Sequence, residues 1–376
     1  MPDGGEEPRN QASRNKLDRW LSKVGLDRVS AARLCLAFVI GFGGSITFIL
    51  LHLPLPWFLG SLTACIIASI LAAPIDRPVQ LSIPMRAVLG VAIGAAFAPE
   101  LLARFGSMTL SLALLLPFMI TIIYLGMIYF ERFAKYDRPT AFFCAVPGGL
   151  TDMVTMASDA GANSRTVTLI QATRITLICF LLPFWLQWAG GRTIGIFVPG
   201  AVHLTEFLLV DAVVLITLGW AGWWLAEYFG LAGAPIVGPM ILSGLAHALG
   251  LTAAKIPLEI LIIAQVTLGI LLGAQFRGLT WREFSSTMVW GAGFSVVLLV
   301  ATGLVAVGVS RLTGFDSTTV LLAYAPGGQS ELNLIAYILN LDVAYTALHH
   351  LVRLAIVIFG AQIVFQANPK WREPKE

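Results

Sequence analysis

Charge is what this sequence has least of. Only 12% of its 376 residues are Asp, Glu, Lys or Arg, about half the share of an ordinary soluble domain. Hydrophobic residues make up 57%, and the mean hydropathy is +0.82. The shortage of charge runs along almost the whole chain, which excludes both a water-soluble enzyme and a soluble domain held by one anchor. No run of five or more like charges occurs and the formal net charge is +3, so there is no electrostatic footprint for nucleic acid and no nucleic-acid partner is expected. The four cysteines, Cys35, Cys65, Cys144 and Cys179, lie in apolar stretches and form no C-x-x-C pair, which argues against a disulfide framework or a zinc site. The five histidines (His52, His203, His247, His349, His350) are scattered but for one pair. H-E-x-x-H, the phosphate-binding G-x-x-x-x-G-K-[ST] and the Rossmann glycine pattern are all missing. The expectation is therefore no metal, no cofactor and no enzymatic activity.

What the chain does have is apolar length. Residues 33 to 367 hold about a dozen apolar segments at ~25–30 residues per span and connection, so an all-α polytopic protein of the lipid bilayer is expected. Residues 1–32 are polar and offer no signal-peptide core, and are read as a retained cytoplasmic tail. Within them Leu17, Trp20, Leu21 and Val24 follow helical spacing with Lys16, Arg19 and Lys23 between, which fits a helix on the membrane surface as well as a solvated tail. Residues 368–376, with Lys370, Arg372 and Lys375, form a second cytoplasmic tail.

The chain repeats itself. Pro147-Gly148-Gly149-Leu150-Thr151-Asp152 returns as Pro326-Gly327-Gly328-Gln329-Ser330-Glu331, and Arg174 with Arg353, Gly90 with Gly269 and Gly94 with Gly273 keep the same offset without a gap. Two membrane repeats follow, 33–190 and 204–367, joined by a linker over 191–203. Each has six apolar segments, which in the first repeat run roughly 33–51, 56–73, 85–103, 107–131, 139–160 and 164–189. The third segment carries Gly90-x-x-x-Gly94 or Gly269-x-x-x-Gly273, spacing that lets two helices approach closely in lipid.

The fifth segment starts apolar, breaks at Pro147-Gly148-Gly149, and ends with Thr151, Asp152, Thr155, Ser158 and Asp159, too polar to face lipid. Such a break at membrane depth is tolerated only where protein or a water-filled cavity satisfies the backbone. It reads as a discontinuous helix or re-entrant hairpin. Five true spans per half would make the repeats inverted, with about 10 spans plus 2 re-entrant segments; six would make them parallel, with 12 spans. The positive-inside count gives eight basic residues inside and four outside for both arrangements and does not discriminate. The polarity of the segments after the glycines favours inverted repeats.

Arg174 lies ten residues into the sixth segment, roughly 15 Å along a helix and so near the middle of a ~30 Å hydrocarbon core. Arg353 holds the equivalent place. An arginine at that depth is costly unless paired or wetted, and is a functional candidate by default. Its natural partners are Asp152 and Glu331, each 22 residues earlier. After each break a half-helix begins with unpaired N–H groups at the midplane, an anion site that Thr151 or Ser330 can cap and Asp152 or Glu331 can complement. Two readings stay open: structural ion pairs that pin the broken helices, or a site in which Pro147, Gly148, Gly149, Thr151, Arg174, Pro326, Gly327, Gly328, Ser330 and Arg353 hold an anionic substrate while Asp152, Glu331 and His350 carry the coupling ion. His350, three residues before Arg353 on nearly the same face, can tune it or relay protons, although polar packing explains it equally well.

These twin Pro-Gly-Gly motifs, with Asp152 and Glu331, the duplicated arginines and the two-fold length resemble the AbrB family of bacterial integral membrane proteins over about residues 33 to 367. That resemblance implies a tandem membrane duplication, inverted repeats and crossed broken helices. Family members carry labels such as ammonia monooxygenase or regulator of aidB expression. The first fits these residues badly, since oxidising ammonia needs a metal or redox site. The second can describe a phenotype, a regulation of gene expression that follows from losing a transporter. The expectation is an inner-membrane secondary transporter of a small organic anion coupled to H⁺ or Na⁺, with both termini cytoplasmic. The alternatives are a membrane sensor that binds without translocating and, more weakly, an exporter of cations or amines. A homodimer is compatible with all three.

Overall fold

A computed structural model describes residues 28–97, 100–188, 202–231, 233–278 and 281–367. Its regular structure, among the described residues, is helical throughout. The first half runs α1 (Arg28–Leu50), a π-helical turn (Pro56–Gly60) leading into α2 (Ser61–Ile70), α3 (Val79–Gly94), α4 (Glu100–Arg132), α5 (Arg138–Ala145), α6 (Leu150–Asp159) and α7 (Ser164–Trp188). The second half runs α8 (Leu209–Tyr228), α9 (Ala234–Ala248), α10 (Leu258–Gly273), α11 (Trp281–Thr313), α12 (Ser317–Tyr324), α13 (Gln329–Ile338) and α14 (Val343–Ala367). From α5 to α7, each helix begins and ends at positions that the repeat offset carries onto the first and last residues of α12 to α14. The same holds for α3 and α10. For these four pairs of helices the spacing seen in the motifs holds to the residue.

Seven helices are long and apolar enough to cross a membrane, and three shorter apolar ones accompany them: Pro56–Ile70, Val79–Gly94 and Ala234–Ala248. Their outer faces are apolar as well. Val39 and Ile46 on α1, Ile120 and Tyr124 on α4, Ile216, Trp220 and Trp224 on α8, and Val300 and Leu304 on α11 are all exposed. An exposed apolar surface of this extent needs lipid beside it, so the chain is a multi-pass membrane protein. The surface helix considered over Leu17 to Val24, most of the linker 191–203 and the C-terminal tail lie outside the described residues.

The helices sort into two groups. In the first, α3 packs on α9 and α10 on α2, an exchange of partners between the halves. The glycine pairs make that possible. A Cβ on Gly90 would lie 2.5 Å from the Ile236 carbonyl oxygen, and one on Gly94 2.5 Å from that of Met240. On the other side, Gly269 meets the Phe58 carbonyl at 2.6 Å and Gly273 that of Leu62 at 2.6 Å. Both motifs bring backbone onto backbone. Helices α1 and α8 complete this group against α2 and α9 respectively. The second group contains α4–α7 and α11–α14, where α11 packs on α7 and α14 on α4, again exchanged, while α4 and α11 touch each other. Between the groups, α13 and α14 lie on α3, and α7 on α10.

The fifth segments are broken as the sequence predicts. Proline has no N–H and drives the residue before it out of the helical region; accordingly Val146 (φ −67°, ψ 121°) and Ala325 (φ −58°, ψ 128°) are extended and end α5 and α12. The chain re-enters a helix after Gly149 and Gly328, both also extended. The glycines are there for room rather than for positive φ: a Cβ on Gly327 would press on Ile178 of α7 at 3.1 Å, and one on Gly328 on Ile175 at 3.2 Å. The second break thus sits against the helix that carries Arg174.

Candidate functional site

Each break strands carbonyl groups, because the helix stops without the N–H donors of a following turn. A long helix of the same half supplies the missing donors. In the first half Gln171 Nε2 donates to the Phe143 carbonyl at 2.7 Å and to that of Val146 at 2.9 Å, and Arg174 Nη1 donates to Val146 at 3.3 Å. The second Arg174 Nη donates to Gln171 Oε1. In the second half His350 Nε2 faces the Leu322 carbonyl at 3.0 Å, while Arg353 donates through Nη1 to Ala325 and through Nη2 to Gly327 at 3.1 Å. Val146 and Ala325 are repeat equivalents, as are Phe143 and Leu322. One arrangement is built twice.

Both arginines are buried, Arg174 to 1% exposure and Arg353 to 5%, and each lies within electrostatic reach of the other. The acid–arginine pairing expected between Glu331 and Arg353 is not formed. Glu331, third residue of α13, turns its carboxylate back to the start of its own helix, so that a Cβ on Gly328 would collide with it. That position complements the helix dipole and leaves the Arg353 guanidinium to the stranded carbonyls. The cation that Glu331 senses is Arg86 of α3, across the boundary between the two helix groups. The capping expected of Ser330 is also not made: the N-cap is Gly328, without a side-chain bond, and Ser330 is buried two positions inside. The side chains of Thr151 and Asp152 lie outside the described residues, so the Asp152–Arg174 pair does too.

Several polar atoms around these breaks are buried with no partner: Arg174 Nε, Thr176 Oγ1, Gln329 Nε2, both polar atoms of Asn333, and His350 Nδ1. An unpaired buried polar group costs about 1–3 kcal/mol, and native proteins carry few of them. The six atoms lie on α7, α13 and α14, helices that flank the two breaks.

The structure brings together Pro147, Gly148, Gly149 and Arg174 in one half, and Pro326, Gly327, Gly328, Arg353 and His350 in the other, and it joins the two through Ile175 and Ile178. Sequence reasoning gave Arg86 no place in the site, and it marked Gln329 and Asn333 only as positions where the two halves differ. Arg86 falls at the edge of the segment expected over 85–103, whereas α3 begins seven residues before it. Its repeat equivalent, Gln265, is a buried polar residue, and the repeat offset applied to Gln265 was the signal that could have found it. Among the described residues no group of three or more His, Cys, Asp or Glu side chains could hold a metal ion.

Residues 10–368 match the family described as "Transition state regulatory protein AbrB". The chain is 26% identical over 346 residues to "Uncharacterized protein YhjN" of Bacillus subtilis (strain 168), covering 85% of this chain and 88% of that protein. It is 24% identical over 325 residues to "Putative regulator AbrB" of Escherichia coli (strain K12), covering 85% and 92% respectively.

Proposed function

The chain belongs to the AbrB family, and from that premise we propose that it is a secondary transporter of a small organic anion, working in the bacterial inner membrane and coupled to H⁺ or Na⁺. The observation that carries this reading is the pair of buried guanidiniums, Arg174 and Arg353, in mutual reach and with no ion pair between Arg353 and Glu331. Two buried like charges repel and are costly to desolvate, and an anion entering between them relieves both penalties. The unpartnered donors of Arg174, Gln329 and Asn333 add hydrogen-bonding capacity for carboxylate oxygens. Because the two breaks are alike in backbone but differ at Gln171 against His350 and Leu150 against Gln329, the site suits one asymmetric substrate. No enzymatic step is assigned to it.

The reading includes inverted repeats. Asp76, just before α3, pairs with Arg277, just after α10, and Ser69 Oγ donates to the Gly273 carbonyl at 3.1 Å. These contacts bring the start of α3 beside the end of α10, which supports an opposite sense for the two equivalent helices and so the inverted arrangement. Ten apolar helices, seven long and three short, then serve as spans around two broken segments, with both termini cytoplasmic.

The test is charge movement on a solid-supported membrane, challenging proteoliposomes with acetate, succinate, citrate and ammonium. A saturable carboxylate current, lost in Arg174→Ala and Arg353→Ala, is the expected result. An ammonium current that survives Arg174→Ala would overturn the reading in favour of a cation exporter. A regulatory reading is favoured by the name of the Escherichia coli relative, and a carboxylate that stabilises the protein thermally without evoking current would support it instead.

A further inference from the structure

A second polar cluster lies outside the broken helices. Ser111 of α4, Tyr324 at the end of α12, and Tyr345 and His349 on α14 are each 0% exposed. Ser111 Oγ lies 2.8 Å from His349 Nε2 and bonds the Tyr345 hydroxyl; the Tyr324 hydroxyl donates to the Ser111 carbonyl. His349 Nδ1 lies 2.8 Å from the Tyr345 carbonyl. A polar group in the interior is retained when each member is satisfied, and here the partners fix every hydrogen. A carbonyl can only accept, so Nδ1 carries the imidazole proton and Nε2 is a lone pair. Ser111 therefore spends its hydrogen on Nε2, and the Tyr345 hydroxyl donates to Ser111. The result is a directed chain, Tyr345 to Ser111 to His349, that ends on a basic nitrogen.

Asp342 caps the start of the helix that carries Tyr345 and His349. Tyr345 N–H donates to Asp342 Oδ1 at 2.9 Å, and Asp342 is a half-buried carboxylate at the N-terminal end of α14. Facing His349 are Tyr324 from α12, Ser111 from α4, and Tyr345 and Asp342 from its own helix, with His350 alongside and Arg353 one turn on. Packing alone does not require such a cluster at this level of the fold: the equivalent positions in the other half hold Trp290, Ala145, Thr166 and Ile170, and that half folds without it.

We propose that His349 is a proton-binding site, loaded through Tyr345 and Ser111. As a proton arrives, Tyr345 passes its hydroxyl proton to Ser111, Ser111 passes its own to Nε2, and the arriving proton re-forms the tyrosine hydroxyl. One N–H bond is gained, no electrons move, and the donor direction along the chain reverses. This names H⁺ as the coupling ion of the transporter reading, on which its use depends, and moves the carrier from the acids of the broken helices to the helix that bears Arg353. Protonation of His349 places a positive charge one turn from Arg353, where an anion offsets it.

The test uses the proton as its own probe. Full-length protein in proteoliposomes is stepped from about pH 7.5 to about pH 4, from above the ordinary histidine value to well below it, and the transient charge movement is recorded on a solid-supported membrane. The expected result is a transient in wild type that disappears in His349→Gln, slows at least tenfold in Ser111→Ala, and persists in Glu331→Gln. A transient unchanged in His349→Gln, a transient abolished in Glu331→Gln, or none in wild type would each overturn the proposal. Ser111→Ala removes a single oxygen and decides the matter should the histidine variant not fold. Because no carboxylate is present, the outcome is independent of whether any anion is carried, and failure of the transporter reading shows separately as missing carboxylate currents.

Discussion

Gln171 and His350 perform one task with different chemistry. Each sits three residues before the buried arginine of its half and reaches a carbonyl 28 residues earlier, Gln171 that of Phe143 at 2.7 Å and His350 that of Leu322 at 3.0 Å. The amide has two donors and an acceptor, and the acceptor holds Arg174. The imidazole has one donor here, and its other nitrogen is left buried without a partner. The structural duty is shared, and the spare lone pair is what the second half adds.

His350→Gln is accordingly expected to fold and to melt within about 1 kcal/mol of wild type, since the first half already shows a glutamine making that bond. Gln171→Ala strands the Phe143 carbonyl and the Arg174 Nη2 that donated to Gln171, and is expected to lose about 2–4 kcal/mol, from the ~1–3 kcal/mol cost of each unsatisfied group. Thermal denaturation of the detergent-solubilised variants compares the two, and equal losses would show that His350 does more than pin its break.

Lysine is expected not to replace either arginine. Arg353 bridges Ala325 and Gly327 with two nitrogens of one rigid fork, whereas an ammonium is a single point of charge. Arg353→Lys should lower carboxylate-evoked current at least tenfold while the protein still reaches the membrane. Full activity of that variant would mean that charge alone suffices.

The glycines separate by what they touch. Gly94→Ala and Gly273→Ala place a methyl within 2.5–2.6 Å of a backbone carbonyl oxygen, and overpacking of this kind costs about 1–3 kcal/mol or more. Gly43→Ala on α1 and Gly303→Ala on α11 meet nothing within 4 Å and are expected to be neutral or slightly stabilising, because alanine is the better helix former. Melting temperatures of the four variants check the contrast.

Single cysteines at Lys135 and Gly314, which the repeat offset makes equivalent positions, test the direction of the repeats. In a background without the four native cysteines, a membrane-impermeant maleimide should label them from opposite sides. Labelling from the same side would restore the parallel arrangement.

Much of this was legible in the sequence because the duplication is ungapped. Pro147 and Pro326 fix where the fifth segments break, since the loss of an N–H and the restriction on the preceding residue are local effects, and the spacing of Gly90 with Gly94 announces a close helix contact. What that contact touches is tertiary: nothing in Gly90 points to Ile236. The pairing of Glu331 failed for a related reason. Sequence distance from Arg353 suggested a partner, but a carboxylate at the third position of a helix has a nearer one in its own N-terminus. Arg86 has no motif around it that separates it from other basic residues near helix ends, although α3 carries it well inside the helix. The cluster of Ser111, Tyr324, Tyr345 and His349 spans three helices with no shared motif and becomes visible only when they are packed.

The glycine grips of α3 on α9 and of α10 on α2 have a mechanical consequence. Where backbone bears on backbone, there are no side chains left to reorient and so nothing that can yield by degrees. These six helices, α1–α3 and α8–α10, act as a frame, stiff by geometry rather than by strength of any one bond. The compliant seam is then the contact of α13 and α14 with α3, where side chains rather than backbone meet.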